Sequence, residues 1–290
     1  MISIGSAFVV VKQLELDDVR SKYETTKSYD GESRFAEVYY TSANGIYLKG
    51  DIVSHEGQIM YYPATDLGEG LYYIRELDIN AKVKNGVFFS TRESVYIKTN
   101  KHANQVKKYG DLKIEVDGEY APYRSDIVVQ YGEVISKPLI ATNTFAESNK
   151  NIPIEIEEGD VVYTHHFLTH PDNERMINGE VVYEIRYEDC YFKRTKNGEI
   201  VMLNEWNLLE PIEVDERKTI GKIELRQELE KDGKKAVVKH LSKKLESIGV
   251  KKEDIVVFES NMDYPIHIDD KVYYRVNTRN IVAINKNKLL

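Results

Sequence analysis

The segment Thr164–His170 contains the side chains best suited to metal chemistry in this sequence. It reads THHFLTH, so His166 and His170 have the i, i+4 spacing of two metal ligands on one helix face. The surrounding residues instead favour a strand followed by a loop, and successive strand residues such as His165 and His166 point to opposite faces. We therefore predict a surface or interface role for these histidines, with no metal site and no cofactor.

Sequence signatures of catalysis are missing. Gly221 and Lys222 stand together without the upstream glycine spacing or the following Ser or Thr of a phosphate-binding loop. The sequence has no GxSxG nucleophile elbow, no HExxH helix and no GxGxxG dinucleotide motif. The single cysteine, Cys190, excludes an internal disulfide and a zinc site made from several cysteines. We predict that the protein is not an enzyme.

The charge balance and the lack of long apolar runs argue against two classes of partner. The chain has 290 residues, with 40 Lys and Arg against 48 Asp and Glu and a formal net charge of −8. Nucleic-acid binding needs clustered basic residues, so we expect no nucleic-acid partner. No stretch reaches the roughly 20 apolar residues of a membrane helix. Charged residues follow Met1–Val11 where a signal peptide would have its cleavage site, so we expect a cytoplasmic protein and no membrane association.

The elements that must position these side chains are mostly strands. Short runs rich in Val, Ile and Tyr alternate with polar residues and are bounded by Gly, Asn or Asp, which is typical of half-buried strands. The clearest runs are Phe8–Lys12, Ala36–Tyr40, Gln58–Tyr62, Leu71–Arg75, Ser94–Lys98, Asp126–Gln130, Asp160–Thr164, Val181–Arg186, Asp254–Phe258 and Lys271–Val276.

A helical pattern occurs in one region, at about 224–249. Apolar residues recur there at steps of three and four, Lys and Glu fill the gaps, and Gly249 stands where a helix would end. Gly233 divides the region, so the main helix is predicted from Lys235 to Ile248. Its mixed charges indicate a solvated face, with partner docking as the alternative.

Three segments of the chain end in the same way. Each has a Tyr-containing strand, a short polar turn, a second short strand and an exit rich in Lys and Asn. Such repetition indicates tandem units, and we place them at 1–86, 87–197 and 198–290. The closing segments are Leu71–Val83, Val182–Lys193 and Val272–Ile284.

The middle unit contains five segments whose order and spacing are similar to one known family. Pro122–Gly132 reads PYRSDIVVQYG and Glu158–Val162 reads EGDVV, which resemble the Pro-x-Arg-Gly-x-Val-Val-x-Val-Gly and Val-Gly-Asp-x-Val motifs of the co-chaperonin GroES family. Val95–Lys98 resembles the family's first strand, Thr99–Ile114 its mobile loop region, and Ile177–Cys190 its closing hairpin. The resemblance covers nearly the whole middle unit.

The outer units resemble the family less closely. In the third unit Lys218–Ile223 resembles one family strand, but the predicted helix replaces the roof region. In the first unit the opening strand, Ala36–Tyr40 and Tyr72–Val83 are the persuasive segments. The implied fold class is all-β: tandem GroES-like irregular β-barrels, with one inserted helix at about 224–249 in the C-terminal unit.

The resemblance also implies a binding segment. By analogy, the mobile loop would insert into the apolar groove of the apical domain of a GroEL-like chaperonin, and several chains would form a homo-oligomeric ring. The segment departs from the family pattern, because Tyr109-Gly110 replaces a glycine pair and Lys113 interrupts the apolar triplet. Alternating apolar and charged residues there are also typical of an ordinary edge strand, so both interpretations stay open. The residues concerned are Tyr109, Gly110, Asp111, Leu112, Lys113 and Ile114.

Two functions follow as hypotheses. The first is a non-enzymatic co-chaperonin that caps a chaperonin chamber and assists protein folding. The second is a structural or assembly protein built from GroES-like barrels, for example a ring or connector component of a phage virion. In that case its partners would be virion proteins, and it would be found in the host cytoplasm or the virion.

Overall fold

A computed structural model describes most of the chain, and the structural statements that follow concern the described residues. These are residues 8–14, 35–42, 45–55, 66–84, 87–91, 93–99, 104–109, 112–117, 129–139, 141, 152–170, 173–177, 180–214, 219–220, 223–224 and 230–285.

The first sheet is antiparallel and has seven strands in the order β4-β5-β1-β2-β3-β6-β7. The opening strand β1 pairs with both β2 and β5, so it lies inside the sheet and is buried at Val9, Val10 and Val11. The strands are β1 (Phe8–Gln13), β2 (Phe35–Tyr40), β3 (Ile52–His55), β4 (Asp66–Gly68), β5 (Leu71–Arg75), β6 (Ile79–Lys84) and β7 (Val87–Ser90).

The second sheet also has seven strands, and a separate hairpin follows its opening strand. The hairpin consists of β9 (Asn104–Tyr109) and β10 (Leu112–Asp117), which pair with each other in a sheet of two strands. The sheet order is β13-β14-β8-β11-β12-β15-β16. Its strands are β8 (Ser94–Lys98), β11 (Tyr131–Ser136), β12 (Val161–Tyr163), β13 (Glu174–Ile177), β14 (Glu180–Arg186), β15 (Phe192–Arg194) and β16 (Ile200–Met202).

The third sheet has six strands in the order β22-β23-β17-β20-β21-β24. A small pair, β18 (Thr219–Ile220) with β19 (Ile223–Glu224), again follows the opening strand. The described residues contain one α-helix, α1 (Lys243–Ser247). The strands are β17 (Trp206–Val214), β20 (Glu230–His240), β21 (Ile255–Phe258), β22 (Tyr264–Ile268), β23 (Lys271–Asn277) and β24 (Ile281–Asn285).

One strand order repeats in all three sheets. If the strands of each sheet are numbered along the chain, the spatial order is fourth, fifth, first, second, third, sixth each time. A 3-10 helix precedes the sixth strand in each: Glu76–Asp78, Tyr187–Asp189 and Thr278–Asn280. The all-β prediction is confirmed, and the predicted repetition is present as a three-unit arrangement of sheets. The boundaries at 86/87 and 197/198 stay predictions, and no strand pairing in the described part closes a sheet into a barrel.

The repetition extends to the residue register. The first residue of each opening strand pairs with the last residue of the fifth strand: Phe8 with Arg75, Ser94 with Arg186, and Trp206 with Asn277. In the first and third sheets, the pairing between the third and the sixth strand contains the same shift of register. The shift lies just before the pairs His55–Ile79 and Phe258–Ile281, where the sixth strand begins.

The chain divides into two compact units, each with its own buried cluster. One comprises residues 1–102, 131–161 and 167–189, the other 103–130, 162–166 and 190–290. Alternate strand positions face each core because side chains alternate across a sheet. The first compact unit buries Val9, Val11, Ala36, Val38, Tyr47, Val53, Ile74 and Ile79. The second compact unit buries Leu209, Ala236, Val238, Leu245, Val250, Val256, Phe258, Tyr274 and Val276.

The predicted helix at about 224–249 is wrong over most of its described length. Strand β20 pairs with β17 on one side and with β21 on the other. Two sheet neighbours satisfy its backbone and bury its alternate residues Ala236 and Val238, and this outweighs the helical spacing of its apolar residues. The helix is confined to α1, where the Ser242 side chain accepts a hydrogen bond from the Leu245 N–H at 3.2 Å. Gly249 (φ +88°) follows, as predicted.

No helix in the described part of the chain is long and apolar enough to cross a membrane.

Candidate functional site

The predicted chaperonin-binding residues lie on the β9–β10 hairpin. Tyr109 is the last residue of β9 and pairs with Leu112, the first residue of β10. Lys113 and Ile114 continue β10, opposite Lys108 and Lys107. Gly110 and Asp111, which lie between the two strands in sequence, are outside the described residues. The backbone therefore matches the strand interpretation of this segment, and its binding to a chaperonin stays a prediction.

The histidine segment does not have the predicted strand geometry. The chain leaves the extended conformation after Tyr163, and His166 begins a 3-10 helix that ends at Thr169. The rings of His165 and His166 consequently lie together, with centroids 4.1 Å apart, so the expectation of opposite faces is wrong. His166 is buried, which contradicts a surface position for that residue.

Tyr264 on β22 contacts both His165 and His166. Its ring stacks on His165 at 4.7 Å and on His166 at 5.5 Å between centroids. Its hydroxyl oxygen accepts the backbone N–H of His166 at 2.9 Å and also bonds the Nδ1 atom of that residue.

Gln130 joins the histidine segment to β22. Its side-chain amide donates to the Pro265 carbonyl oxygen at 2.8 Å and to the Tyr264 hydroxyl at 3.3 Å. Its side-chain oxygen accepts the backbone N–H of His267 at 3.1 Å. The Gln130 backbone carbonyl accepts the Thr164 N–H at 2.8 Å. One buried glutamine thus fixes Tyr264 relative to the residues that precede the histidines.

Arg275 on β23 lies among three aromatic rings. Its guanidinium carbon is 4.4 Å from the ring centroid of Trp206, 4.6 Å from that of Tyr191 and 4.7 Å from that of Tyr264. The faces of these rings attract the positive charge. Within the described residues Arg275 forms no ion pair, and its buried Nε has no hydrogen-bond partner. We call Arg275, Tyr191, Trp206, Tyr264, His165 and His166 the Arg275 cluster.

The charge of the Arg275 cluster resides on the guanidinium rather than on His165. Burial, and then the proximity of His166 and Arg275, lower the pKa of His165 to about 3. The imidazole is therefore neutral near pH 7 and is too weak a base to accept protons there. The arrangement supplies one fixed positive charge among aromatic faces. Among the described residues no group of three or more His, Cys, Asp or Glu side chains is placed to hold a metal ion.

In the first compact unit, Glu184 is a buried charged residue at the strand position equivalent to that of Arg275. Arg275 is two residues before the end of its fifth strand, and Glu184 is two residues before the end of β14. The Glu184 carboxylate is 3.0 Å from the guanidinium of Arg175 and accepts the Ser94 hydroxyl at 2.8 Å. Burial, followed by this carboxylate, raises the pKa of the neighbouring Tyr96 well above its usual value.

The sequence interpretation missed the Arg275 cluster. The sequence feature that could have indicated the cluster is a charged residue inside an otherwise apolar and aromatic closing strand, in the run Val272–Val276. Tyr73, Glu184 and Arg275 occupy the same position of the three closing strands. Alternation alone assigns this position to one face of a strand, but which rings surround the side chain depends on other strands.

Comparison with known proteins adds no relative to this description. No protein-family model and no curated protein sequence matches the chain.

Proposed function

We propose that this protein is a non-enzymatic assembly protein whose three repeated sheets act as building modules. The observation that carries this proposal is the recurrence of one strand order, with one register between the first and fifth strands, in all three sheets. A module repeated along a chain presents equivalent surfaces in succession, and head-to-tail use of such surfaces produces rings or filaments. A virion ring or connector is the kind of particle that such a subunit suits.

Native mass spectrometry and mass photometry test this function directly. The purified full-length chain is expected to form oligomers whose subunit number rises to one defined value, or grows as an open series, over the micromolar range. A chain that stays monomeric across that range would contradict self-assembly. As a control for unspecific aggregation, the oligomers are expected to dissociate to folded monomers on dilution.

A second candidate function is the capping of a chaperonin, and the β9–β10 hairpin favours it. Among the described residues the two strands of the hairpin pair with each other and with no further strand, and in the sequence they lie between the first and second strands of the second sheet. The third sheet has its small β18–β19 pair in the same interval. An insertion outside the main sheet can change its sequence without disturbing the core, so this interval suits a partner-binding segment. By its resemblance to the GroES family, the middle unit would have its chaperonin-binding loop in this interval.

The capping function predicts inhibition of a chaperonin's ATPase and rescue of a stringent refolding substrate. The double substitution of Leu112→Ser with Ile114→Ser is expected to abolish both effects, because it removes the apolar residues that would enter the apical groove. Thr219→Ser with Ile220→Ser, in the corresponding insertion of the third sheet, is the matched control and is expected to retain them. Equal activity of the Leu112/Ile114 variant and the wild type would rule out this segment as the binding loop.

A further inference from the structure

Arg275 lies on the face of the third sheet that is opposite to the buried cluster of the second compact unit. Its neighbours Tyr274 and Val276 belong to that cluster, and successive side chains of a strand point to opposite faces. Across the sheet Arg275 lies between Leu208 of β17 and Tyr264 of β22. Its backbone is therefore held by a strand on each side.

The guanidinium of Arg275 has no carboxylate partner among the described residues. This distinguishes it from four other arginines, which each contact a carboxylate at 2.7 to 3.5 Å: Arg75, Arg175, Arg186 and Arg194. Buried N–H donors in proteins nearly always have an acceptor, so a guanidinium with none is suited to an acceptor that a bound molecule supplies.

The open side of this guanidinium is its terminal edge. The Nε atom is buried, whereas the side chain as a whole is partly exposed. The two Nη atoms of Arg275 also have no hydrogen-bond partner among the described residues, but they are not buried. Two such nitrogens present parallel N–H donors whose spacing matches the two oxygens of a carboxylate.

Aromatic rings surround the charge without satisfying its donors. The guanidinium carbon is 4.4 Å from the ring centroid of Trp206, 4.6 Å from that of Tyr191 and 4.7 Å from that of Tyr264. Ring faces attract a cation but are weak hydrogen-bond acceptors. Trp206 and Tyr264 are partly exposed, so ring surface is accessible beside the guanidinium. An apolar part of a ligand can pack against this surface.

The electrostatics of the cluster favour a ligand with one negative charge. His165 is neutral near pH 7, because burial, and then the proximity of His166 and Arg275, lower its pKa to about 3. It therefore adds no positive charge to that of the guanidinium. The ring faces carry negative potential and oppose a second negative charge on a ligand. A carboxylate meets these conditions better than a phosphate dianion does.

Hydrogen bonds fix the two partly exposed rings in place. The Gln130 amide donates to the Tyr264 hydroxyl at 3.3 Å and to the Pro265 carbonyl oxygen at 2.8 Å. The Trp206 backbone N–H donates to the Leu203 carbonyl oxygen at 2.9 Å. A site whose side chains are already positioned loses less conformational entropy when a ligand binds.

We propose that the Arg275 cluster binds a carboxylate that is attached to an aromatic or other apolar group. The two Nη atoms of Arg275 donate to the two carboxylate oxygens, and the rings of Trp206 and Tyr264 contact the apolar group. Every residue of the cluster belongs to the second compact unit of a single chain, so this site does not depend on the assembly function.

Trp206 makes the proposal testable by fluorescence, because it is the one tryptophan of the sequence. Benzoate is titrated into the full-length protein at constant ionic strength, with excitation at a wavelength that only tryptophan absorbs. A saturable change is expected, with a dissociation constant on the order of 1 mM. Benzamide, which has the same shape without the charge, and inorganic phosphate are each expected to bind about tenfold more weakly.

Substitutions of arginine locate the site. Arg275→Gln is expected to abolish benzoate binding. Arg275→Lys keeps the charge but loses the parallel donors, so binding about tenfold weaker is expected, and this variant tests the site even where the glutamine variant does not fold. Arg279→Gln, at an exposed arginine of the same compact unit, is the matched control and is expected to bind as the wild type does. Circular dichroism checks that each variant is folded, and calorimetry measures binding independently of Trp206.

Each outcome supports or overturns the carboxylate site. A wild type that does not bind benzoate, or that binds benzamide or phosphate equally well, would overturn it. Unchanged binding by folded Arg275→Gln would also overturn it. N-acetylphenylalanine, titrated in parallel, carries the carboxylate as the end of a polypeptide does. Tighter binding of this compound would support a polypeptide carboxyl end as the source, and tighter binding of benzoate would support a free acid.

Discussion

At the scale of single residues, one position of the repeat contains an aromatic, an acidic and a basic side chain. These are Tyr73, Glu184 and Arg275 in the three closing strands. Glu184 is neutralised by Arg175 at 3.0 Å, whereas the Arg275 guanidinium lies among aromatic rings. The two charges are thus stabilised by different interactions: Glu184 by ion pairing and Arg275 by cation–π attraction.

The pH dependence of stability tests the Arg275 cluster. The pKa of His165 is about 3 in the folded chain, against an ordinary value of 6.5. Between these two pH values the unfolded state binds more protons, so stability is full above pH 6.5 and falls as the pH is lowered towards 3. We expect His165 to contribute a loss of about 2 kcal/mol between pH 7 and pH 4, after allowance for its partial exposure.

His165→Phe is the variant for this measurement, because it keeps a ring against Tyr264 and cannot be protonated. Urea unfolding at pH 7 and pH 4 is expected to show a smaller loss of stability for the variant than for the wild type. An identical loss in both chains would mean that His165 is not the group that is kept neutral.

At the scale of elements, a buried asparagine joins β17, β23 and the start of α1. Asn207 is fully buried. Its amide donates to the Val276 carbonyl oxygen at 3.1 Å and to the Thr278 hydroxyl at 3.0 Å, and its oxygen accepts the Ser242 N–H at 2.7 Å. Ser242 in turn caps the helix. A side chain of β17 therefore anchors the start of the helix to the sheet.

Replacing this asparagine tests that connection. Asn207→Ala removes the hydrogen bonds to the Val276 carbonyl oxygen and to the Ser242 N–H, so we expect a loss of about 2–4 kcal/mol in the free energy of unfolding. The measurement is urea unfolding followed by circular dichroism. Ser247→Ala, at an exposed residue of the same helix, is the control and is expected to change stability by less than about 0.5 kcal/mol. Equal effects of the two substitutions would contradict a structural role for Asn207.

At the scale of the whole molecule, self-assembly links thermal stability to protein concentration. If the chain self-assembles as proposed, association stabilises the folded chain and the melting temperature rises with protein concentration. A head-to-tail contact also makes oligomer size depend on concentration unless a ring closes.

The concentration dependence of the melting temperature is the corresponding prediction. A tenfold increase in concentration is expected to raise the melting temperature of the wild type, because association stabilises the folded chain. A melting temperature that does not depend on concentration would contradict self-assembly.

Many of the strands, the turns between them and their repetition along the chain are predicted by local sequence patterns. Alternation with a period of two, turn residues at the ends and the three similar closing segments are local properties. Eight of the ten predicted runs coincide with strands of the structure. The run Gln58–Tyr62 lies outside the described residues, and Val129 and Gln130, the described part of the run Asp126–Gln130, are not in a strand. Even the final helical turn was indicated, since Gly249 has the positive φ that ends α1. Of the candidate binding segment, the alternation at Leu112 and Ile114 predicted its strand, whereas chaperonin binding rests on the resemblance alone.

Which elements become neighbours depends on contacts between residues that are distant in sequence. Val237 and Val238 fit a helical pattern, but β20 is a strand because β17 and β21 lie on either side and satisfy its backbone. The Arg275 cluster likewise depends on residues distant in sequence. Hydrogen bonds, ring contacts and burial between strands reward such pairings, and no local spacing specifies them, because the same alternation is compatible with many neighbours.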